Sequence, residues 1–425
     1  MAGTFYTTIR LSLRTASSFA LAASICGATA CALFPDGNSS PTGRGLGLGC
    51  EFQQTGLTTD TAIYYVAVEA LAVGSGSALV AGLPSHVFDL NAQMQAVGVT
   101  RDSIVGAVIR PGRPPELVIS PLPGRHLGWF RAVSAGRGRW TLAFAELAAP
   151  RGTPGSEAVA ALWTGDYSSE GWSGLRIIDE PTDALAVYAS SPLVLHGDTL
   201  SWAIPTSRTD WNDEVIIYTR AGAEWSNARL PMQAVMEVTM TTSPHGTYLG
   251  VSNADLNGAF ELLVFQRRAG WQQVARFTGS RPHYDAELYP GENVIQAVWT
   301  HDMPLGEMRA VYSGSAWGDR EDDVREIWSR PAMWFPVRGS DVIAVIGTSG
   351  NITLVGLDGT SAVLPHTTDI ELGGLVRAAA DTEGNFWLAG GPSPALRGEL
   401  VTISVVSFGT GCLRLWPGRR DPGRP

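Results

Sequence analysis

A glycine followed by a short apolar strand recurs along the chain from residue 197 onward. The copies align on Gly197, Gly246, Gly291, Gly339 and Gly384, which are spaced 49, 45, 48 and 45 residues apart. A repeat of this length is one supersecondary unit, and such a unit buries its apolar face only by stacking against its neighbours. The repeat therefore constrains the fold more than any other feature of the sequence.

A second kind of segment alternates with the first: a strand, a tight turn and another strand, with a tryptophan just past the turn. Clear copies are residues 215–230, 261–277 and 309–321. The tryptophans of this series are Trp172, Trp225, Trp271 and Trp317. We expect these side chains to pack between repeats rather than to form a ligand platform.

Together the two segments predict a unit of four strands, an inner apolar pair and an outer hairpin. A four-stranded sheet every 40–50 residues is typical of a β-propeller. The sequence therefore predicts an all-β fold with a single propeller over residues 50–417. Residues 50–412 hold seven blades of about 50 residues each. Six or eight blades stay open at this point, because residues 50–115 fit the repeat poorly.

One repeat resembles a known family. Residues 381–391, DTEGNFWLAGG, are similar to the D-x-x-G-x-x-W strand signature of ligand-sensing and sialidase-like (Asp-box) propellers. Asp381 stands three residues before Gly384, where the Asp-box has two, and the Asp-box serine has no counterpart. The resemblance implies propeller architecture over most of residues 116–412. A sialidase-like activity would further require three arginines for a substrate carboxylate and a tyrosine with an acidic partner.

Residues 1–30 read as an export signal, with Arg10 and Arg14 before an apolar stretch of small residues. The stretch ends in Ala28-Thr29-Ala30-Cys31, which resembles a bacterial lipobox and implies lipidation of Cys31. The alternative is an ordinary A-x-A cleavage site and a secreted or periplasmic soluble protein. Residues 31–49 are rich in Gly, Pro and Ser and predict a tether, and residues 418–425 predict a disordered tail.

Two cysteines remain in the exported body, Cys50 near its start and Cys412 near its end. An exported protein meets an oxidising compartment, so a disulfide between them is expected. The bridge requires the two ends of the propeller to meet in space. The alternative is a pair of buried free thiols.

Charge and motifs exclude several classes of function. The formal net charge of −10 argues against a nucleic-acid partner, because phosphate binding needs a basic face. The sequence carries no signature of a metal site or a nucleotide cofactor, so neither is expected. The acidic run 318–326 lacks the spacing of a calcium loop and is better interpreted as a solvated turn.

The repeat also indicates which loops share one face of the propeller: those joining the second and third strands of a blade, and those joining blades. The candidate ligand-binding residues in these loops are Arg208, Asp210, Trp211, Asn212, Asp213, Asn253, Asp255, Arg281, His283, Tyr284, Asp285, His301 and Asp302. Polar groups interspersed with aromatic rings are typical of glycan and peptide sites. The alternative is that these loops are polar because they face water.

These observations predict a binding or scaffold protein of the cell envelope, lipid-anchored at Cys31, that holds a glycan, peptide or protein partner on the loop-rich face. A sensor that passes a ligand to a partner is not distinguishable from this by sequence. The alternative function is a sialidase-like hydrolase, which needs two neighbouring carboxylates and an arginine cluster. The non-enzymatic interpretation is favoured because no catalytic motif is present.

Overall fold

The computed structural model of the chain is built from β-strands, and among the described residues no helix occurs. Nor does any segment of the described chain form a helix long and apolar enough to cross a membrane. The described residues are 52–58, 65–74, 76–85, 88–89, 95–96, 105–110, 113, 115–118, 121–122, 125–149, 158–181, 185, 191–206, 213–254, 260–279, 284–290, 295–301, 306–312, 317–320, 334–337, 342–346, 352–356, 361–363, 376–380, 386–390 and 402–408.

Thirty strands follow one another along the described chain. They are β1 (Phe52–Thr58), β2 (Tyr65–Gly74), β3 (Ser77–Ser85), β4 (Phe88–Asp89), β5 (Gln95–Ala96), β6 (Val105–Ile109), β7 (Glu116–Leu117), β8 (Leu127–Gly136), β9 (Arg139–Leu147), β10 (Val159–Ser168), β11 (Gly171–Asp179), β12 (Leu193–His196), β13 (Thr199–Pro205), β14 (Glu214–Ala221), β15 (Glu224–Pro231), β16 (Val235–Ser243), β17 (Gly246–Ala254), β18 (Phe260–Arg267), β19 (Trp271–Gly279), β20 (Tyr284–Pro290), β21 (Ile295–His301), β22 (Gly306–Tyr312), β23 (Trp317–Arg320), β24 (Trp334–Val337), β25 (Val342–Ile346), β26 (Ile352–Gly356), β27 (Ser361–Val363), β28 (Val376–Ala380), β29 (Phe386–Gly390) and β30 (Thr402–Phe408).

The strands of the described chain form seven four-stranded antiparallel sheets, which we number as blades in chain order. Blade 1 contains β2, β3, β6 and β7, with the small β4–β5 hairpin inserted between its second and third strands. Blades 2 to 6 each contain four consecutive strands, starting at β8, β12, β16, β20 and β24. The first strands contact one another in succession, from β2 and β8 round to β24 and β28, and β28 contacts β2. The sheets therefore form a closed ring with the first strand of each blade innermost, which confirms the predicted propeller.

The last blade is assembled from both ends of the described chain. Strands β28, β29 and β30 supply its first three strands, and β1 pairs with β30 as the fourth, from Phe52 opposite Phe408 to Thr58 opposite Thr402. An apolar cluster that includes Val80 and Trp387 joins this blade to blade 1. The ring is thus closed by strand pairing as well as by side-chain packing.

Apolar packing between neighbouring blades forms the core. Separate clusters of buried side chains join blades 1 and 2, blades 2 and 3, blades 3 and 4, and blades 4 and 5. Trp140 is fully buried and donates its indole N–H to the carbonyl of Ala72 in the preceding blade at 3.1 Å. Trp172, Trp225 and Trp271 pack at the edges of these clusters, so the expected packing role holds for these three.

Because the strands alternate in direction, all connections fall at one of two ends of the ring. The end that joins first to second and third to fourth strands carries two- or three-residue turns in blades 2, 3 and 4, and we call it the turn end. Two of the repeated glycines are described there: Gly197 has φ 57° and Gly246 has φ 126°, conformations that side-chain-bearing residues rarely adopt. The opposite end, the loop end, receives the longer connections, including residues 86–104, 148–158, 180–192, 321–333, 364–375 and 391–401.

Candidate functional site

The loop end of blades 3, 4 and 5 holds the predicted candidates that the structure describes. Asp213 immediately precedes β14, and Asn253 is the penultimate residue of β17. Tyr284 and Asp285 begin β20, and His301 ends β21, so all five backbone positions lie at the loop end. The side chains of Tyr284, Asp285 and His301 lie outside the described part of the structure. So do Arg208, Asp210, Trp211, Asn212, Asp255, Arg281, His283 and Asp302, and likewise Cys31, Cys50 and Cys412.

Asp213 joins blade 3 to blade 4. Its Oδ2 accepts a hydrogen bond from the backbone N–H of Val235, the first residue of β16, at 2.9 Å. Its backbone carbonyl accepts from the N–H of Met232 at 2.8 Å. The residue is only 8% exposed. These contacts fix the three-residue connection between β15 and β16, in which Ala234 has a positive φ of 42°.

Asn253 lies opposite Val235 on one side and Glu261 on the other. Asn253 stands two residues after Val251, which belongs to the apolar cluster between blades 3 and 4, so its side chain points into the same interface. The residue is 5% exposed, and its Oδ1 has no hydrogen-bond partner among the described groups.

Glu261 lies in the same blade 3–blade 4 interface and is 6% exposed. Its Oε1 accepts from Arg276 of β19, with Nε at 2.9 Å and Nη2 in closer contact. Blade 3 has the equivalent pair: Arg229 of its fourth strand donates to Glu214 of its third strand at 2.9 Å. In both blades the arginine follows the glutamate by fifteen residues. The pairing is therefore a repeated feature of the outer hairpin.

The inner strands of blades 4 and 5 each carry a carboxylate that accepts a hydrogen bond across the interface between these blades. Glu237 Oε2 accepts from the N–H of Ala286 at 2.8 Å. Thr239, two residues along the same strand, donates to Glu287 Oε2 at 3.1 Å and accepts from the N–H of Leu288 at 3.2 Å. These side chains of β16 satisfy the backbone groups on the inner edge of β20, and they hold both carboxylates at the inner rim of the ring.

Neither Glu237 nor Glu287 is among the candidates that the sequence provides. Both stand in strand segments, not in loops, and their proximity depends on the packing of blade 4 against blade 5. The local signal that could have drawn attention to them is a glutamate within an inner strand that is otherwise apolar or hydroxyl-bearing, at residues 235–243 and 284–290.

Irregular pairing marks the inner strands near the loop end. Register shifts occur between Val68 and Ala70 in β2, in the first half of β8, between Val235 and Glu237 in β16, and between Tyr284 and Glu287 in β20. A β-bulge re-aims a side chain and increases local twist, and bulges are enriched beside functional sites. Four blades therefore share a distortion at the inner rim of the loop end.

The chemistry of the described site is that of hydrogen-bond acceptors. Asp213, Glu237, Glu261 and Glu287 supply carboxylates, and Asn253 supplies an amide oxygen. No group of three His, Cys, Asp or Glu side chains suited to a metal ion occurs in the residues that the structure describes. Each of the four carboxylates already accepts a hydrogen bond from within the protein.

The architecture places the chain in the class of β-propeller proteins. No family model matches the sequence. No curated protein matches it either. Among solved structures, the polysaccharide lyase Uly1 superposes with a TM-score of 0.52 at 7% identity, covering 81% of this chain and 90% of the lyase.

Two further solved structures match with lower scores. The six-bladed, fucose-recognising lectin of Aleuria aurantia gives a TM-score of 0.40 at 12% identity, over 70% of this chain and 98% of the lectin. Trypanosoma rangeli sialidase gives 0.43 at 10% identity, over 83% of this chain and 55% of the sialidase. At 7% identity, the match to the lyase shows a shared fold and no more.

Proposed function

We propose that this protein binds a glycan on the loop end of the propeller, without chemical conversion of the ligand. The observation that carries the proposal is the division of the ring into two unlike ends. Tight turns occupy the turn end, whereas the longest connections and the buried acceptors Asp213 and Asn253 lie at the loop end. Loops placed by a rigid scaffold are where binding residues concentrate.

The donor and acceptor pattern favours a glycan over a peptide. The loop-end candidates that the sequence provides are mostly carboxylate and amide side chains, whose oxygens can accept hydrogen bonds from sugar hydroxyls. The sequence adds Trp211, His283 and Tyr284 to the same end of the ring. Aromatic rings beside polar acceptors suit the mixed apolar and hydroxyl faces of a sugar. A polysaccharide lyase has the same fold, so this architecture is compatible with a glycan ligand.

The proposed setting is the cell envelope. With Cys31 lipidated, residues 32–49 would hold the propeller at a short distance from the membrane and leave the loop end available to glycans. This setting rests on the sequence of the first fifty residues.

A glycan and peptide array probed with residues 32–425, produced by export and carrying a fluorescent label, tests the proposal. We expect selective binding to one group of glycans and none to peptides. Competition by the free glycan in solution should release the bound protein. Selective peptide binding with no glycan binding would contradict the proposal.

A glycan hydrolase is the second candidate, and one observation favours it. Glu237 and Glu287 lie on adjacent inner strands: Glu237 accepts a hydrogen bond from the N–H of Ala286, and Glu287 accepts one from Thr239. Two neighbouring carboxylates are the minimum that general acid–base hydrolysis of a glycosidic bond requires. Incubating the array's best ligands with the protein and measuring newly released reducing ends distinguishes the two candidates. Turnover that is lost in both E237Q and E287Q would favour the hydrolase.

A further inference from the structure

The two ends of blades 1 to 4 differ in charge. The connections at the turn end, each counted with the strand residue on either side, contain six arginines and four acidic residues. The connections at the loop end, counted in the same way from the end of β3 to the start of β20, contain five arginines and ten acidic residues. In this part of the ring the negative charge therefore lies at the loop end, and the turn end has an excess of arginine.

Most of the arginines at the turn end face solvent. The six are Arg110, Arg113, Arg137, Arg139, Arg267 and Arg268. Arg110 and Arg267 are half-buried, and the other four are exposed. Arg110 is paired with Glu116, whereas none of the four exposed arginines forms an ion pair with another described residue. Their guanidinium groups are therefore accessible to an anionic partner.

The chain also joins the propeller at the turn end. Phe52, the first residue of β1, pairs there with Phe408, the last residue of β30. Residues 32–51 therefore connect this end to Cys31, for which the sequence predicts a lipid. Residues 409–425 follow β30 and contain four arginines and one aspartate. The segment that would carry the lipid and an arginine-rich segment are thus both attached to the end that has the exposed arginines.

We propose that the turn end of blades 1 to 4 is a docking surface for a membrane of anionic phospholipids. The exposed arginines contact the headgroup phosphates, and the loop end is turned away from the membrane. This inference goes beyond the proposed glycan binding and does not depend on it. Each arginine close to an anionic membrane favours the docked state by about fivefold, which corresponds to about 1 kcal/mol.

A short tether makes this modest attraction sufficient. A flexible chain of about twenty residues, the length of the segment before β1, has a root-mean-square span of about 25 Å. Once the chain is attached to the membrane, the turn end meets the headgroups at an effective concentration in the millimolar range. Because docking is then intramolecular, a few arginines orient the propeller although they would bind a membrane only weakly without the tether.

The rest of the turn end limits the docking surface to one side of the ring. The connections of blades 5, 6 and 7 at this end, counted in the same way, contain one arginine and five acidic residues. An anionic membrane repels these connections. The ring should therefore tilt, with blades 1 to 4 nearest the membrane.

Energy transfer on vesicles measures this orientation. Residues 32–425 with an amino-terminal hexahistidine tag are captured on vesicles that contain a nickel-chelating lipid, so that no acyl chain is needed. A donor dye is attached through a genetically encoded azide at Ser169, at the turn end of blade 2, or at Ala148, at its loop end. Both positions are exposed. The acceptor is a lipid labelled on its headgroup.

We expect phosphatidylglycerol to raise the transfer from position 169 and to lower the transfer from position 148, relative to vesicles of phosphatidylcholine. The tether alone brings the turn end near the lipid on both kinds of vesicle, so the response to phosphatidylglycerol isolates the contribution of charge. This response should disappear at about 1 M salt, where the Debye length is about 3 Å.

The variant R113Q/R139Q removes two exposed arginines from the turns of blades 1 and 2. We expect it to lower the ratio of docked to undocked protein by about tenfold or more, and hence to remove most of the response to phosphatidylglycerol. The control R125Q/R229Q has the same change of net charge but removes two arginines at the loop end. It should dock at least as well as the wild type. If this control does not fold, R229Q is compared with R139Q.

Two outcomes would overturn the inference. One is a wild-type response to phosphatidylglycerol that is absent, or that persists unchanged in R113Q/R139Q. The other is an equal loss in R113Q/R139Q and in R125Q/R229Q, because net charge would then explain the response without a docking face. Glycan binding is measured on the array without vesicles, so failure of this inference leaves the proposed function standing, and the reverse also holds.

Discussion

The carboxylate of Asp213 accepts a hydrogen bond from the backbone N–H of Val235 at 2.9 Å, and this contact links blade 3 to the first residue of blade 4. Removing the acceptor leaves a partly buried N–H without its partner, which costs at most about 1–3 kcal/mol. We therefore expect D213A to lower the free energy of unfolding by about that amount, as measured by urea denaturation.

The control for this variant is E224A, which removes an exposed carboxylate at the turn end of blade 3. Exposed substitutions of this kind usually change stability by less than about 0.5 kcal/mol. If D213A proves as stable as E224A, the contact with Val235 contributes nothing to stability and Asp213 is available for ligand binding alone.

The strand pairing of the closing blade predicts which two strands a Cys50–Cys412 disulfide would connect. Phe52 pairs with Phe408 at the turn end of this blade. Cys50 precedes Phe52 by two residues, and Cys412 follows Phe408 by four. In the other blades the chain itself joins the third and fourth strands at this end. We expect a Cys50–Cys412 disulfide to make that connection in the closing blade, stabilising the fold by at most about 5–6 kcal/mol in the chain-entropy model.

Peptide mapping by mass spectrometry under non-reducing conditions, on protein exported to an oxidising compartment, measures this bond directly. A cross-linked peptide containing both cysteines is expected, and C50S/C412S should unfold at a lower temperature. Quantitative alkylation of both cysteines without prior reduction would show free thiols and contradict the prediction.

The propeller could be predicted from the sequence because its repeat is set by local turn chemistry. Gly197 and Gly246 have positive φ at turns, and the second strand of a blade begins at or just after each of them. Such glycine positions can be recognised in the sequence alone. The first blade is different: residues 86–104 between its second and third strands contain the extra β4–β5 hairpin, which breaks the repeat length and hides the unit.

The carboxylates of Glu237 and Glu287 at the inner rim could not be predicted from the sequence. Glu237 and Glu287 are fifty residues apart and become neighbours only because β16 packs beside β20. No spacing rule encodes that packing. Asn253 was accessible to sequence reasoning as a polar residue at a strand end, whereas its burial and unmatched oxygen depend on the fit of blade 3 against blade 4.

One ion pair predicts a response to pH. The side-chain hydrogen bond from Arg110 holds the pKa of Glu116 below its usual value of 4.5, with further lowering by the charges of Arg110 and Arg113. The depressed pKa means that the pair stabilises the fold above about pH 4.5 and loses this contribution as the pH falls through the folded-state pKa. Because Glu116 is 47% exposed, the contribution is about 0–1 kcal/mol.

Urea denaturation of wild type and E116Q at several pH values measures this contribution. The difference in unfolding free energy should be largest near neutral pH and shrink below pH 4.5. In an R110Q background the same substitution should show a smaller difference. A difference that grows as the pH falls would have the wrong sign and contradict the assigned pair.

Lipidation of Cys31 would change how the protein partitions between a detergent phase and water. If Cys31 is lipidated, the full-length protein expressed in a bacterium should enter the detergent phase on Triton X-114 separation, and C31S should remain in the aqueous phase. C26S is the matched control, because Cys26 lies within the export signal and should leave partition unchanged. Equal partition of wild type and C31S would exclude the anchor.

Glycan binding by W211A tests the central claim most directly. Trp211 lies in the polar run TDWNDE at the loop end of blade 3, where the sequence offers no apolar neighbours to bury it. Titration of the array-selected glycan into W211A should show affinity reduced by about tenfold or more, as for an aromatic anchor. The melting temperature should stay that of the wild type, and the turn-end variant E224A should keep full affinity. Unchanged affinity in W211A, or a markedly lower melting temperature that identifies Trp211 as a core residue, would contradict the account.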